Sequence, residues 1–320
     1  MDLFKKIEGQ NILVIGDVMI DAYLWGSVNR ISPEAPVPIV SVTKRENRLG
    51  GAANVALNLK SLGADPIICS VIGDDESGDL YSNLMQNNLL STKGLVVANR
   101  RKTTKKTRVI SGGQHLLRVD DEVSYHLSDK EEMELIATIS DIIKKNEILA
   151  IVFEDYDKGI ISDNLIKKIT SIAKAKSIPT TVDPKKNNYN LYTDITLFKP
   201  NFKEFVEGAK LEILKADTEG IFKHAKKMIS EKNIKYVFVT LSELGVFICD
   251  KNEYFLIPAE YRQITDVSGA GDTVISVATL LLAQGYKMKE IAEISNKAGG
   301  IVCEKVGVVS INKEDLLILH

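Results

Sequence analysis

The stretch Asp266-Val267-Ser268-Gly269-Ala270-Gly271-Asp272-Thr273 places two glycines and a carboxylate where a loop turns into the apolar run Val274 to Ala283. Without Cβ atoms, the glycines let backbone N–H groups approach a ligand closely. The unpaired N–H groups of a helix start, at the positive end of its dipole, suit an anion. Asp272 at that start has two readings: an ordinary helix cap, or a general base beside an anion site. Base and anion site together are the equipment for phosphoryl transfer to a hydroxyl. The base takes the proton, and the N–H groups hold the developing charge. A second stretch, Gly50 to Ala64 (GGAANVALNLKSLGA), also opens a helix with paired glycines.

Other polar residues stand where α/β folds place ligands. Asp17 and Asp21 follow Asn11 to Gly16 (NILVIG), an apolar run that reads as a central parallel strand buried on both faces. Acids just past such a strand lie at the ligand-binding rim; solvated turn acids are the plainer reading. Asn201 and Glu204, three apart at a helix start, share one face. That spacing serves a capping box or holds Mg²⁺ through its waters. Arg108 and Arg118 fall on a predicted hairpin, and Lys185 follows Val182-Asp183-Pro184. Arginine's fork suits phosphate oxygens, against the alternative of an exposed strand-edge charge.

The elements that must position these groups alternate along most of the chain. Strands are expected at Pro66 to Ile72, Ile148 to Phe153, Pro179 to Asp183, Ile195 to Phe198 and Tyr236 to Thr240. Helices are expected at Glu76 to Asn88, Asp129 to Lys145, Ser162 to Lys176 and Asp217 to Glu231. In the second of these, Met133, Ile136, Ile139, Ile142 and Ile143 mark the inner face. Val246 to Cys249 and Tyr254 to Ile257 suggest a late hairpin. This alternation argues an α/β fold with a mainly parallel central sheet and helices on both faces. Two segments break the pattern. Pro33, Pro36 and Pro38 forbid a helix in about 24–48. Within 97–122, Ser111-Gly112-Gly113-Gln114 joins two strand-like runs. Both segments are expected to form a small inserted β-sheet, a lid over the site. No repeat or long linker divides residues 1–320, so one domain is expected.

Composition excludes several functions. A formal charge of −2 gives no electrostatic case for nucleic acid or a membrane surface. Hydrophobic residues at 44% and charged residues at 26% fit a globular protein. Cys69, Cys249 and Cys303 are odd in number and lie in apolar surroundings, which suggests reduced thiols. Met1 to Gln10 carries charge at once and lacks a signal-peptide core. Val274 to Ala283 is too short to span a bilayer. A cytoplasmic enzyme is expected.

The two glycine-rich stretches, in this order and separation, resemble the two signatures of the ribokinase-like (PfkB) sugar kinases. Asp17 to Gly26 (DVMIDAYLWG), Ser32 to Pro38 (SPEAPVP), Arg100 to Arg108 (RRKTTKKTR), Gln114 to Glu122 (QHLLRVDDE) and Asn296 to Gly307 (NKAGGIVCEKVG) resemble the branch of that family acting on D-glycero-β-D-manno-heptose 7-phosphate. The sequence departs from the usual signature at Ser268 and Val274, leaving the base and glycines intact. The resemblance implies a ribokinase-like fold, ATP and Mg²⁺ as cofactors, and transfer to the anomeric hydroxyl in ADP-heptose and lipopolysaccharide core synthesis. It implies Asp272 as base and Gly269, Ala270 and Gly271 as the anion hole. Asp17, Asp21, Gly50, Gly51 and Asn54 would hold the sugar, and Arg108, Arg118 or Lys185 its phosphate. Asn201, Glu204, Thr240, Ser242, Gly245 and Asn296 would serve ATP, with Glu204 reaching Mg²⁺ through water. Asp266 and Cys303 to Val308 resemble a monovalent-cation loop, for which K⁺ is the expected ion.

Two other readings stay open: a family kinase for ribose, fructose or adenosine, and a nucleotide-binding regulator without catalysis. A nucleotidyltransferase partner would carry a His-x-Gly-His stretch, absent from these 320 residues, so that step is expected on another chain. The exposed lid sheet, marginal alone and open at its edges, is expected to pair with its copy in a homodimer.

Overall fold

The computed structural model describes residues 5–305 and 307–317. The start Met1 to Phe4, Val306 of the expected cation loop and the end of the chain lie outside them. The chain opens with β1 (Asn11–Gly16), then two long strands, β2 (Val18–Ile31) and β3 (Pro38–Gly51), and α1 (Ala52–Ser61). Next come β4 (Asp65–Gly73), α2 (Glu76–Asn87), β5 (Leu95–Ala98), β6 (Thr104–Ser111) and β7 (Gln114–Asp121). Then follow α3 (Asp129–Lys145), β8 (Ile148–Glu154), α4 (Asp163–Ala175), β9 (Thr180–Asp183), β10 (Leu197–Phe198), α5 (Phe202–Ala209) and α6 (Thr218–Lys232). The chain continues through β11 (Tyr236–Thr240), β12 (Val246–Cys249), β13 (Tyr254–Ile257), α7 (Ala270–Ala283), α8 (Met288–Cys303) and α9 (Lys313–Leu317).

Nine strands form the large sheet, in the order β13-β12-β11-β10-β9-β8-β1-β4-β5. Its strands are parallel except at the β11–β12–β13 end, the expected late hairpin. The apolar run of β1 is buried from both sides because alternate residues enter different cores. Ile12 and Val14 pack with α1, α7 and α8, while Leu13 and Ile15 pack with α3 and α4. All four are fully buried. Each such side chain contributes about 1.5–3 kcal/mol, so β1 and the strands beside it are the rigid base of the molecule.

The second sheet runs β3-β2-β6-β7. Its β6–β7 hairpin turns on Gly112 and Gly113 with φ 57 and 78, the left-handed pair that a two-residue turn requires. The sheet extends further than the expected 24–48. It begins at Val18 and returns to Gly51, which puts Asp21, Gly50 and Gly51 on it. Residues Val97 and Ala98, expected in the lid, pair with β4 in the large sheet. In α3 the expected inner face is also corrected. Met133 is 63% exposed, and Leu135 takes the buried place beside Ile139, Ile142 and Ile143. Met133 lies two residues before Leu135, about 200° around the helix, and so faces away from the core.

Candidate active site

The chain runs from β1 outward to β4 and β5, then crosses back to β8 on the other side of β1. That reversal opens a crevice at the carboxyl ends of β1 and β8, the place where open α/β sheets bind ligands. Three carboxylates from three elements meet there: Glu154 ending β8, Asp183 ending β9 and Asp272 in the first turn of α7. One oxygen from each lies within 4.8 Å of the other two, and all three residues are buried. Two lysines answer them. Lys199, only 2% exposed, places Nζ 2.7 Å from Asp183. Lys185 places Nζ 3.5 Å from Asp183 and 2.6 Å from Glu204.

The charges do not distribute evenly. Burial, then Asp183, raises the Asp272 carboxyl above the usual carboxylate range. Burial raises Glu154 much further, with Asp183 and Asp272 adding to it, and neither Glu154 oxygen has a hydrogen-bond partner. Burial also opposes ionisation of Asp183, but Lys185 and Lys199 overcome it and hold that group low. Asp183 is therefore the fixed anion, and Asp272 is a carboxylate poised to take a proton.

Asp272 is not the helix cap. Gly269 occupies the N-cap of α7 at φ 80 and no side chain caps the helix; in its first turn the Ala270 N–H donates to the Val267 carbonyl at 3.3 Å. The Asp272 carboxylate instead accepts from the Tyr156 hydroxyl at 3.0 Å, and Asn54 reaches it as well. Of the backbone in that turn, Gly271 approaches the charged pair. A Cβ placed there would stand 3.6 Å from Asp183 and 3.7 Å from Lys199. Base, cations and the uncapped start of α7 thus surround one small volume.

The other expected residues divide between two sides of that volume. On the sugar side, Asp21 is buried and ion-paired with Arg108. Gly50 lies against it: a Cβ there would stand 3.1 Å from the Asp21 carboxyl carbon. Gly51 caps α1, and Asn54 sits in its first turn. Asp17 is spent differently. It accepts backbone N–H groups of Tyr156, Lys158 and Ile160, and so shapes the loop after β8. On the other side, Asn201 and Glu204 form a capping box on α5. The free oxygen of Glu204 takes Lys185. Thr240 bridges to Asn201, and Ser242 and Gly245, with φ 54 and 89, turn the adjoining loop. Asn296 donates to the Pro258 carbonyl at 2.9 Å. Asp266 accepts from the N–H groups of Ser268 and Gly307, at 2.9 and 3.0 Å. Arg118 is not brought to the Asp272 cluster. Its fork holds Asp120 at 2.8 and 2.9 Å on the exposed strand β7.

Comparison with known proteins shows the family. Residues 10–315 match the model of the pfkB family carbohydrate kinases. The chain belongs to that family. It is 40% identical to the bifunctional protein HldE of Campylobacter jejuni subsp. doylei over 98% of its own length and 65% of the relative's. A bifunctional protein HldE of Desulfatibacillum aliphaticivorans is 38% identical over 95% and 62%. The chain therefore spans a little under two thirds of these relatives. Phosphofructokinase-2 of Escherichia coli in complex with potassium superposes with TM-score 0.78, at 19% identity, over 97% of this chain and 98% of that one. Ribokinase from Thermotoga maritima gives 0.71 at 20%, over 97% and 98%. The fold is ribokinase-like, and the enzyme is an ATP-dependent sugar kinase.

Sequence reasoning passed over four residues that the structure brings to this crevice. Glu154 and Asp183 end β-strands and read as strand termini, although acids there carried the same signal as Asp17. Lys199 sits in Phe198-Lys199-Pro200 beside the noted Asn201, and its pairing with Asp183 at 2.7 Å joins two separate segments of the chain. Tyr156 lies in loop-like sequence with no motif of its own.

Proposed function

We propose that this kinase transfers the γ-phosphoryl group of ATP to the anomeric hydroxyl of D-glycero-β-D-manno-heptose 7-phosphate. The product would be the 1,7-bisphosphate, a precursor of ADP-heptose for lipopolysaccharide core. The observation that carries the chemistry is Asp272: a buried carboxylate, raised in affinity for protons, beside the uncapped start of α7 and two paired lysines. Identity near 40% to the HldE relatives over nearly the whole chain supports the acceptor.

In this reading Asp21, Gly50, Gly51 and Asn54 orient the sugar so that its anomeric hydroxyl meets Asp272. Asp272 accepts the proton as the oxygen attacks phosphorus, with Tyr156 and Asn54 fixing the carboxylate's orientation. Lys185, Lys199 and the N–H groups of Gly269, Ala270 and Gly271 hold the charge spreading over the transferred group. Asn201, Glu204, Thr240, Ser242, Gly245 and Asn296 border the nucleotide. Both Glu154 oxygens and Oδ1 of Asp183, buried and without hydrogen-bond partners, fit a hard divalent cation, as does Glu204 through water. Mg²⁺ there neutralises phosphate charge when bound. Asp266, in the loop against Cys303, is the carboxylate assigned to a K⁺ site in this reading.

The outer face of the smaller sheet supports a two-fold dimer. Leu24, Val109 and Leu117 form one cross-strand row there, and Thr107 and Val119 belong to the next. Leu117 is 58% exposed and Val119 52%. Covering this face with its copy removes an apolar surface from water.

The test is ADP release from the purified protein with heptose 7-phosphate, ribose, fructose and adenosine, with phosphorus NMR of the product. Turnover on the heptose phosphate, giving a new anomeric phosphate signal, is expected. Preference for any of the other three acceptors overturns the heptose assignment and leaves the sugar-kinase chemistry standing.

A further inference from the structure

A second group of cations lies apart from the Lys185–Lys199 pair, on the inward face of the smaller sheet. The strand register aligns Glu46, Tyr23, Arg108 and Arg118 in one row, and Arg48, Asp21, Lys106 and Asp120 in the next. Side chains in register share a face of the sheet. Arg48 and Arg108 both converge on the Tyr23 ring, with guanidinium carbons 5.0 and 5.4 Å from its centroid. Stacking on an aromatic face fixes a guanidinium while leaving its in-plane donors free. Arg108 gives one N–H to Asp21, and Arg48 gives Nε to Glu46 at 2.7 Å, so each keeps further donors.

Arg48 borders a usable space, and Arg108 stands behind it on two residues of its wall, Tyr23 and Asp21. A cavity of about 260 Å³ is lined by Asp21, Tyr23, Arg48, Asn54 and Asn58, and closed by Val308 to Ser310. Asn54, which lines the cavity, also lies beside Asp272. The lysines on the far side of Asp272 are already engaged with Asp183 and Glu204. The molecule thus holds two separate cationic groups with Asp272 and Asn54 between them. One suits the transferred phosphoryl group. The other has no use for an acceptor without charge.

We propose that Arg48 and Arg108, braced on Tyr23, form the subsite for a phosphate monoester at the end of the acceptor remote from the reacting hydroxyl. This rests on the reading of the acceptor as a sugar phosphate, and it makes Arg48 a specificity-determining residue. A phosphate dianion takes paired N–H donors from arginine more strongly than a neutral hydroxyl does. Buried without cations, it would be rejected. The subsite therefore selects the phosphorylated sugar over the same sugar without its phosphate.

Trp25 is the chain's single tryptophan and stacks on Tyr23, with ring centroids 6.0 Å apart. Its fluorescence reports binding at this subsite without turnover. Heptose 7-phosphate and the unphosphorylated heptose are titrated against wild type and Arg48→Gln. Glu46 keeps Lys44 at 3.0 Å in that variant, so the sheet retains its ion pair. The expected result is a wild type that prefers the phosphorylated sugar, and a variant whose preference falls at least tenfold. Arg108→Lys, which keeps a charge beside buried Asp21 but loses the fork, should lose roughly three- to tenfold of the same preference. Equal weakening of both sugars in Arg48→Gln, or no weakening, overturns the subsite while leaving the sugar-phosphate acceptor intact. A wild type that binds and phosphorylates both sugars alike removes the sugar-phosphate reading itself, and the subsite with it.

Discussion

β1 and β7 are both short strands with apolar residues, and they live in opposite surroundings. From Ile12 onward β1 is buried, between two cores. Every residue of β7 is exposed. Around β1 the structure gathers what chemistry demands: carboxylates held out of water and lysines fixed by them. Around β7 and its neighbours it gathers what recognition and assembly use: stacked arginines on one face and uncovered apolar side chains on the other. A group whose proton affinity must be shifted needs burial. A surface that must admit a substrate or a partner cannot have it.

The sharpest way to break the comparison is at the buried end. Lys199→Met leaves Asp183 with Lys185 alone and should destabilise by about 3–5 kcal/mol, read from urea unfolding. Adding Asp183→Asn should recover most of that loss; a double variant no better than the single would show that packing, not charge, holds the pair.

Asp155 comes next. Burial, then the neighbouring Asp17, lifts its carboxyl to about 7. In the folded protein it holds its proton to higher pH than in the unfolded chain. Its contribution is therefore fully present below the ordinary aspartate range near 4 and is lost as pH rises through about 7. The total is on the order of 4 kcal/mol. Melting temperature should decline across that window in wild type and decline less in Asp155→Asn. Identical slopes in the two proteins would speak against the assignment.

Asp272→Asn should lower turnover at least roughly a hundredfold with ATP affinity retained. In wild type, the acid limb of the turnover profile should fall off at higher pH than an ordinary aspartate would give, because Asp272 must be ionised to act. Near-normal turnover in the variant would take the base away from this residue.

The exposed end should yield smaller changes. Leu117→Glu places charge on the outer face of the smaller sheet. It should convert a dimeric mass in solution scattering to a monomeric one while the melting temperature shifts little; a wild type already monomeric at micromolar concentration ends the dimer proposal. Smallest of all, Arg118→Ala removes an exposed arginine already engaged with Asp120. It should alter the sugar KM less than about twofold, the scale of a surface ion pair. A tenfold rise would bring Arg118 into the phosphate subsite.

Much of this was legible in the residues. The apolar run Asn11 to Gly16, the Gly112-Gly113 turn and the helix opened by Gly269 to Asp272 are local patterns, and local sterics and hydrogen bonding enforce them wherever they occur. The same holds for Asn201 and Glu204, whose spacing dictates a capping box before any ligand is considered. What tertiary structure decided is which charges meet. Glu154, Asp183 and Asp272 come from three elements separated in sequence, and only the crossing from β5 back to β8 beside β1 brings their carboxylates together. Lys199 is an ordinary lysine until Asp183 lies 2.7 Å away, and Arg48 an ordinary strand residue until β2 presents Tyr23 beside it. Coulomb energy depends on distance and dielectric, and neither is written in the order of residues along the chain.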